Sequence, residues 1–393
     1  MVVLFMFKPK FFSILVIFLM VFSTVGSASA TMVGDNVNDS HIIVVDNPTV
    51  SKIQKAIDNA DDFDTILIKG SSTDTGNISC DKRLNIKGEN CTLNNIHWEC
   101  NNLIDFENIT FENCKSKYGG AIKSNESVEI TNCNFTGNSA NTDGGAVWAK
   151  KDVIVTNCSF NKNKCYSDSI GQCEGGAIYS EDCVTVSGSN FTGNVARGYG
   201  GSIYSRIDLV VGVSSFMNNF AYGDHGKGGA VYSEDCVTVS GSNFTSNVAY
   251  VGGGAVWSDG SVEVNGCSFV NNSAIGDSVS QCEGGAVYSD GGGVKITGSN
   301  FTSNFAYDYG GAVWSDDGVN VQYCLFSDNS VTDSRGGAIY MDDSCDLRVS
   351  DSGFYGNHAN DKGGAIYCEG NSAHVYLNSF SSFATASVPS HQN

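Results

Sequence analysis

One four-residue phrase returns ten times in this chain and limits what it can fold into. Gly-Gly-Ala-Ile or Gly-Gly-Ala-Val begins at Gly119, Gly144, Gly175, Gly228, Gly253, Gly284, Gly310, Gly336 and Gly363, and Gly-Gly-Ser-Ile begins at Gly200. Between these copies lies Phe-x-x-Asn, nine times from Phe135/Asn138 to Phe354/Asn357. The repeat takes 25 to 31 residues. A period of this size marks a stacked solenoid, in which each unit buries its apolar face only against its neighbours. From the first glycine to the phenylalanine the count is 16 in seven copies and 17 or 18 in the other two, while the return to the next glycine takes 9 to 15. Stacked strands hold their length and corner loops do not, so the insertions 161–174 and 270–283 should leave the same edge of the stack.

Within the fixed part the pattern is that of strand. Val184-Thr-Val186 and Val237-Thr-Val239 alternate with period two and are β-branched. Two or three strands per coil are expected, each paired in parallel with its counterpart one coil on. The fold class is therefore all-β, a parallel β-helix, with the phenylalanines stacked inward and the asparagines forming an amide ladder at an inner corner. Ten coils at parallel strand spacing give a rod of roughly 50 Å. The composition agrees: 46 glycines against 3 prolines suits tight corners within hydrogen-bonded sheet, where proline would delete a donor.

The flanks divide the chain further. Lys8 and Lys10, an apolar run over 11–22 and Ala28-Ser29-Ala30 predict a cleaved signal peptide over residues 1–30. A cap and first coils follow over 31–118, the repeats over 119–383, and a tail over 384–393. In the cap, Ser51–Asp58 reads as an amphipathic helix with Ile53 and Ile57 on one face and Ser51 as N-cap, closing the open end of the solenoid. No apolar stretch after Ala30 is long enough for a transmembrane segment. The formal charge of −20 argues against nucleic acid as a partner.

Three sets of side chains are candidates for chemistry. The fourth residue after each first glycine is aromatic in nine consecutive coils: Trp148, Tyr179, Tyr204, Tyr232, Trp257, Tyr288, Trp314, Tyr340 and Tyr367. Stacked at one strand position they form a ribbon. If Val147 and its equivalents point inward the ribbon points outward, where it could stack on sugar rings or simply stabilise the sheet. Acidic residues at the next turn, among them Glu181/Asp182, Glu234/Asp235, Asp259, Asp290, Asp316/Asp317, Asp342/Asp343 and Glu369, line one edge; calcium is the only cofactor they suggest, and solvated turns account for them as well. Of the 15 cysteines, Cys133, Cys158, Cys267 and Cys324 share the parity of the inward phenylalanine and read as small buried positions. Cys165, Cys173 and Cys282 sit in the long insertions and are better disulfide candidates.

The doubled motif resembles the repeats of polymorphic outer-membrane proteins and of archaeal adhesin-like proteins. The stretch from Ile53 to Gly88 resembles the helix-plus-strand start of pectin-lyase-like β-helices. These resemblances imply a right-handed parallel β-helix at the cell surface, with adhesion to surface glycans or cell-surface proteins as the expected role. No autotransporter barrel or wall-binding module accompanies them. A polysaccharide lyase or glycoside hydrolase would need a local break in the repeat with odd polar residues, and the motif runs on almost undisturbed. A passive surface coat or stalk is the structural alternative.

Overall fold

The computed structural model describes residues 40–166, 173–276, 282–332, 334–342, 346–369, 372–376, 379–380 and 386–387. The expected signal peptide, the outer parts of both long insertions and nearly all of the tail lie outside the described residues.

Among the described residues strand pairing is parallel and falls into three sheets of 24, 9 and 13 strands. Register is strict from coil to coil: Val153 faces Val184, which faces Leu209, and Phe160 faces Phe191, which faces Phe216. A repeat coil holds four short strands, for example Val147–Ala149, Val153–Thr156, Ser159–Asn161 and Lys164–Cys165. Four replaces the expected two or three because the long strand is broken within its own sheet. Asn157 (φ 55°) sits in the left-handed region between the second and third strands, where asparagine is tolerated better than most side chains. In the first coils the two halves run together, in the strands Leu84–Asn94 and Ile104–Glu112, with a register shift between Lys87 and Cys91.

Two polar ladders and one aromatic column run through the interior beside columns of valine, isoleucine and alanine. Ten phenylalanines from Phe111 to Phe354 stack with 0 % exposure. The buried asparagines then do what backbone cannot. Asn219 Nδ2 donates to Asn247 Oδ1 (2.9 Å) and to the Phe191 carbonyl (3.0 Å), while its own Oδ1 accepts from the Asn194 backbone N–H (3.0 Å) and from Asn194 Nδ2 (3.1 Å). Every donor and acceptor of the amide is used, which removes the desolvation cost of burying it. The third column mixes serine and cysteine. Cys158 N donates to Ser189 Oγ (2.9 Å) and Ser242 N to Cys267 Sγ (3.5 Å), so the cysteines accept like the serines they replace.

The paired glycines are required by space. Gly144 lies at φ 64°, and a Cβ there would stand 2.1 Å from the Val147 carbonyl oxygen; one on Gly145 would stand 2.0 Å from the Gly176 oxygen of the next coil. No larger residue fits either position.

At the N-terminal end, helix α1 (Val50–Asn59) begins two residues earlier than the sequence suggested. Thr49, not Ser51, is the N-cap, accepting from Lys52 N at 3.3 Å. The helix buries Ile53, Ala56 and Ile57. Its Gln54 side chain donates to the Ser79 carbonyl and accepts from Ser79 N, both at 2.9 Å. Ser79 belongs to the strand Gly76–Cys80, at the edge of the 13-stranded sheet, so one amide occupies part of an edge that would otherwise be open to another chain. Among the described residues no helix is long and apolar enough to cross a membrane.

Candidate functional site

The aromatic ribbon lies where parity placed it, on the outer side of the first strand of each coil, since Val147 points into the core and Trp148 does not. Exposure is another matter. Trp148, Tyr179, Tyr204, Tyr232, Trp257, Tyr288, Trp314, Tyr340 and Tyr367 form a second buried cluster and keep only 2–9 % of their surface. An open ribbon with ring faces free for sugars is therefore corrected to a covered one.

The cover is the residue just before each glycine pair. These residues stack in their own parallel row, Tyr199 to Lys227 to Gly252 to Glu283 to Tyr309, and Arg335 to Lys362. Tyr199 stacks on Tyr232 (4.7 Å between centroids), Tyr309 tilts on Tyr340 (4.6 Å), Lys227 Nζ sits 4.1 Å from the Trp257 ring centre, and the Arg335 guanidinium lies 5.0 Å from that of Tyr367. Where the row holds Gly252, the Trp257 ring fills the space that a Cβ would take. The ribbon's own rings also stack on one another, from 3.6 Å for Trp257/Tyr288 to 6.5 Å for Tyr232/Trp257, so their faces are already occupied. Sequence reasoning missed this row. Its one signal, a fixed place before Gly-Gly, carries aromatic, cationic, acidic and glycine residues in turn and has no motif.

The ribbon's polar tips meet the acidic turn. Tyr204 Oη donates to Glu234, Tyr232 Oη to Asp259 (2.6 Å), Tyr288 Oη to Asp290 (3.2 Å), and Trp257 Nε1 to Asp259 (2.7 Å). Burial pushes the Tyr204, Tyr232 and Tyr288 phenols well above their ordinary range and keeps them as donors. Arg335 joins Glu369 (2.5 Å) and Asp361 (2.9 Å) at the far end. The expected acidic edge therefore divides: part of it anchors the ribbon. Asp182 and Asp235 instead join two equivalent groups, Asp152/Asp182/Cys183 and Asp208/Asp235/Cys236, whose ligand atoms lie within 4.8 Å of one another. These are the described side chains that could hold a divalent cation. Asp343 lies outside the described residues.

Three carboxyls of the covering row are displaced from the usual carboxylate range. Burial pushes Asp143 up to about 6; burial and the charge of Asp143 push Glu174 up to about 7; burial and the charges of Asp308 and Asp342 push Glu283 up to about 8. Glu174 N also donates to Asp143 Oδ1 (3.1 Å). Open polar depressions lie elsewhere, against Lys87, Asp105, Glu107 and Glu129 on the first coils and against Asn320, Arg348, His374 and Tyr376 on the last. Neither borders the ribbon.

The cysteines agree in part. Cys133, Cys158, Cys267 and Cys324 are buried, as their parity predicts. No disulfide joins two of the described cysteines.

Among the described residues, parallel coils, in-register ladders and a covered outer ribbon define a β-helical repeat protein. Family comparison agrees and supplies the right hand. The model described as "Right handed beta helix region" matches residues 209–382, and that of the Chlamydia polymorphic membrane protein repeat matches residues 132–150 and 157–181. A comparison with curated proteins gives no match.

Proposed function

We propose that this chain is a non-catalytic, adhesin-like protein of the cell surface that binds glycans or surface proteins of another cell along its flank. The observation that carries the reading is the repetition of polar side chains on the outer face of the large sheet. Thr131, Thr156 and Ser187, then Ser240, Asn265 and Thr297, occupy equivalent positions in the register, at least partly open to solvent, with Gly212 as the one coil between the two runs that lacks a polar side chain. Rows of hydroxyls and amides at about 4.8 Å intervals suit a ligand that is itself repetitive, because weak contacts add once the first is made. The match to polymorphic membrane protein repeats supports a surface location. Unbroken Phe and Asn columns support a scaffold without a catalytic interruption, and the carboxyls that would suit acid catalysis, Glu174 and Glu283, belong to the cover over the ribbon.

The test is retention of the purified chain on immobilised polysaccharides and on whole cells, with soluble sugar products assayed in the same wells. Selective retention without products is expected, and Ser187→Arg with Ser240→Arg should reduce it. New reducing ends or unsaturated uronates would overturn the reading in favour of a polysaccharide-active enzyme. No retention on any surface would leave a passive coat.

A further inference from the structure

The two long insertions return to the repeat through the same sequence phrase, Gln-Cys-Glu-Gly-Gly-Ala, at Gln172 and Gln281. The short strands that precede them are Lys164–Cys165 and Ser273–Ala274, and the second position of each is the buried one. That position stacks in register as Ala140, Cys165, Ala196, Ala221, Ala249, Ala274, Ala306 and Val331. Cysteine appears in this column once, in the coil whose insertion returns through Cys173. The column position shares a buried cluster with the returning cysteine in both places. Cys165, Cys173 and Ala196 form one buried cluster, with Cys165 at 1 % and Cys173 at 0 % exposure; Ala274, Cys282 and Ala306 belong to the equivalent cluster.

Cys173 is fixed to the coils on either side. Its N–H donates to the Arg197 carbonyl (2.9 Å) on the coil after, and its thiol donates to the Asn141 carbonyl (3.7 Å) on the coil before. Burial first, and then the neighbouring Cys173 thiol, raise the Cys165 thiol far above its ordinary range. A buried, protonated thiol reacts slowly, so the pair should oxidise while the coil is still closing.

We propose that Cys165 and Cys173 form a disulfide that fixes the return of the 161–174 insertion to the side of the solenoid. The oxidant is a low-molecular-weight or protein disulfide. The thiolate of one cysteine attacks it and expels one thiol; the other cysteine then attacks the mixed disulfide and expels the second. Two S–H bonds are lost, one S–S bond forms, and both protons and both electrons end on the expelled thiols. The bridge is independent of what the flank binds.

The full chain is refolded from denaturant with reduced and oxidised glutathione, denatured again, alkylated without reduction, and mapped by mass after cleavage at Asp168. The expected result is a pair of peptides joined through Cys165 and Cys173, lighter by two hydrogens and unalkylated, with Cys133 and Cys267 alkylated. Alkylation of both Cys165 and Cys173, glutathione on each, or bridges from either to another cysteine would overturn the proposal. Cys165→Ala installs the residue of the neighbouring coils and should fold; it should leave Cys173 alkylated. Ala274→Cys is the converse test and should join position 274 to Cys282. Thiols at both places after refolding would show that contact in this column does not direct the bridge.

Discussion

Inside the coils, the phenylalanine rings from Phe111 to Phe354 repeat with centroids 4.6–4.9 Å apart and planes within 12° of each other. On the outer flank, neighbouring rings of the Trp/Tyr ribbon are separated by anything from 3.6 to 6.5 Å. Both columns ride on the same parallel backbone, so strand spacing does not cause the difference. The inner rings are one residue type in one environment, bounded by identical asparagines and glycines, and the backbone repeat alone sets their separation. The outer rings mix indole and phenol beneath a row that varies from aromatic to acidic, cationic and glycine, and each shifts to suit its cover. An interior column is a lattice; a covered outer column is a set of local fits.

The comparison breaks most visibly if an inner ring is removed. Phe244→Ala should destabilise the chain by about 3–5 kcal/mol in denaturant titration, because rigid stacked coils cannot collapse around the cavity. Tyr232→Ala should cost less, since the overlying Tyr199 ring and Lys227 chain can settle into the gap. Equal losses would show the flank to be as rigid as the core.

Titration should sharpen the contrast, because the ribbon's cover carries acids and the inner columns do not. Glu283 ionises near 8 in the folded chain against an ordinary value of 4.5. The unfolded chain therefore loses its proton first, and stability should fall as pH rises from 4.5 to about 8 and then level off. The size of this fall is at most about 5 kcal/mol for a shift of this extent. Glu283→Gln should flatten that part of the profile and leave the variant more stable than the parent at pH 8. An unchanged slope would show that Glu283 is solvated.

A smaller effect is expected at the amide ladder. Asn219→Ala should cost about 2–4 kcal/mol, since it leaves the Asn194 donors and the Phe191 carbonyl unmatched in a dry interior. The smallest belongs to a ribbon tip: Tyr232→Phe removes only the bond to Asp259 and should cost about 1–2 kcal/mol, with the fold and its near-ultraviolet circular dichroism intact. If the tip change outweighs the ladder change, the flank and not the core holds the coils in register.

Legibility followed repetition. Phe135 to Phe354 and their asparagines could be assigned because both residue type and spacing recur. Phe111 escaped because Cys114 stands where the asparagine should be, although it still accepts its place in the ladder: Cys114 N donates to Asn138 Oδ1 at 2.9 Å. The helix was found and its start misplaced, as Thr49 and Ser51 are equally plausible caps until the turn that leads into them is known. The fourth strand was hidden because the break at Asn157 is a matter of one backbone angle. Calcium ligation, catalysis and the identity of the partner have no comparable imprint in the pattern.

The sequence by itself determined the coil: its length, its register, its inward phenylalanines and the glycines that let successive coils touch. Those follow from local rules of parity and backbone space that hold in every repeat. Only the tertiary structure decided that the outward ribbon is buried. A side chain that points away from a sheet is exposed only if nothing crosses it, and here the crossing row conserves its place while varying from Tyr199 to Lys227 to Glu283. Contact of that kind depends on three-dimensional return of the chain, which strand parity does not encode.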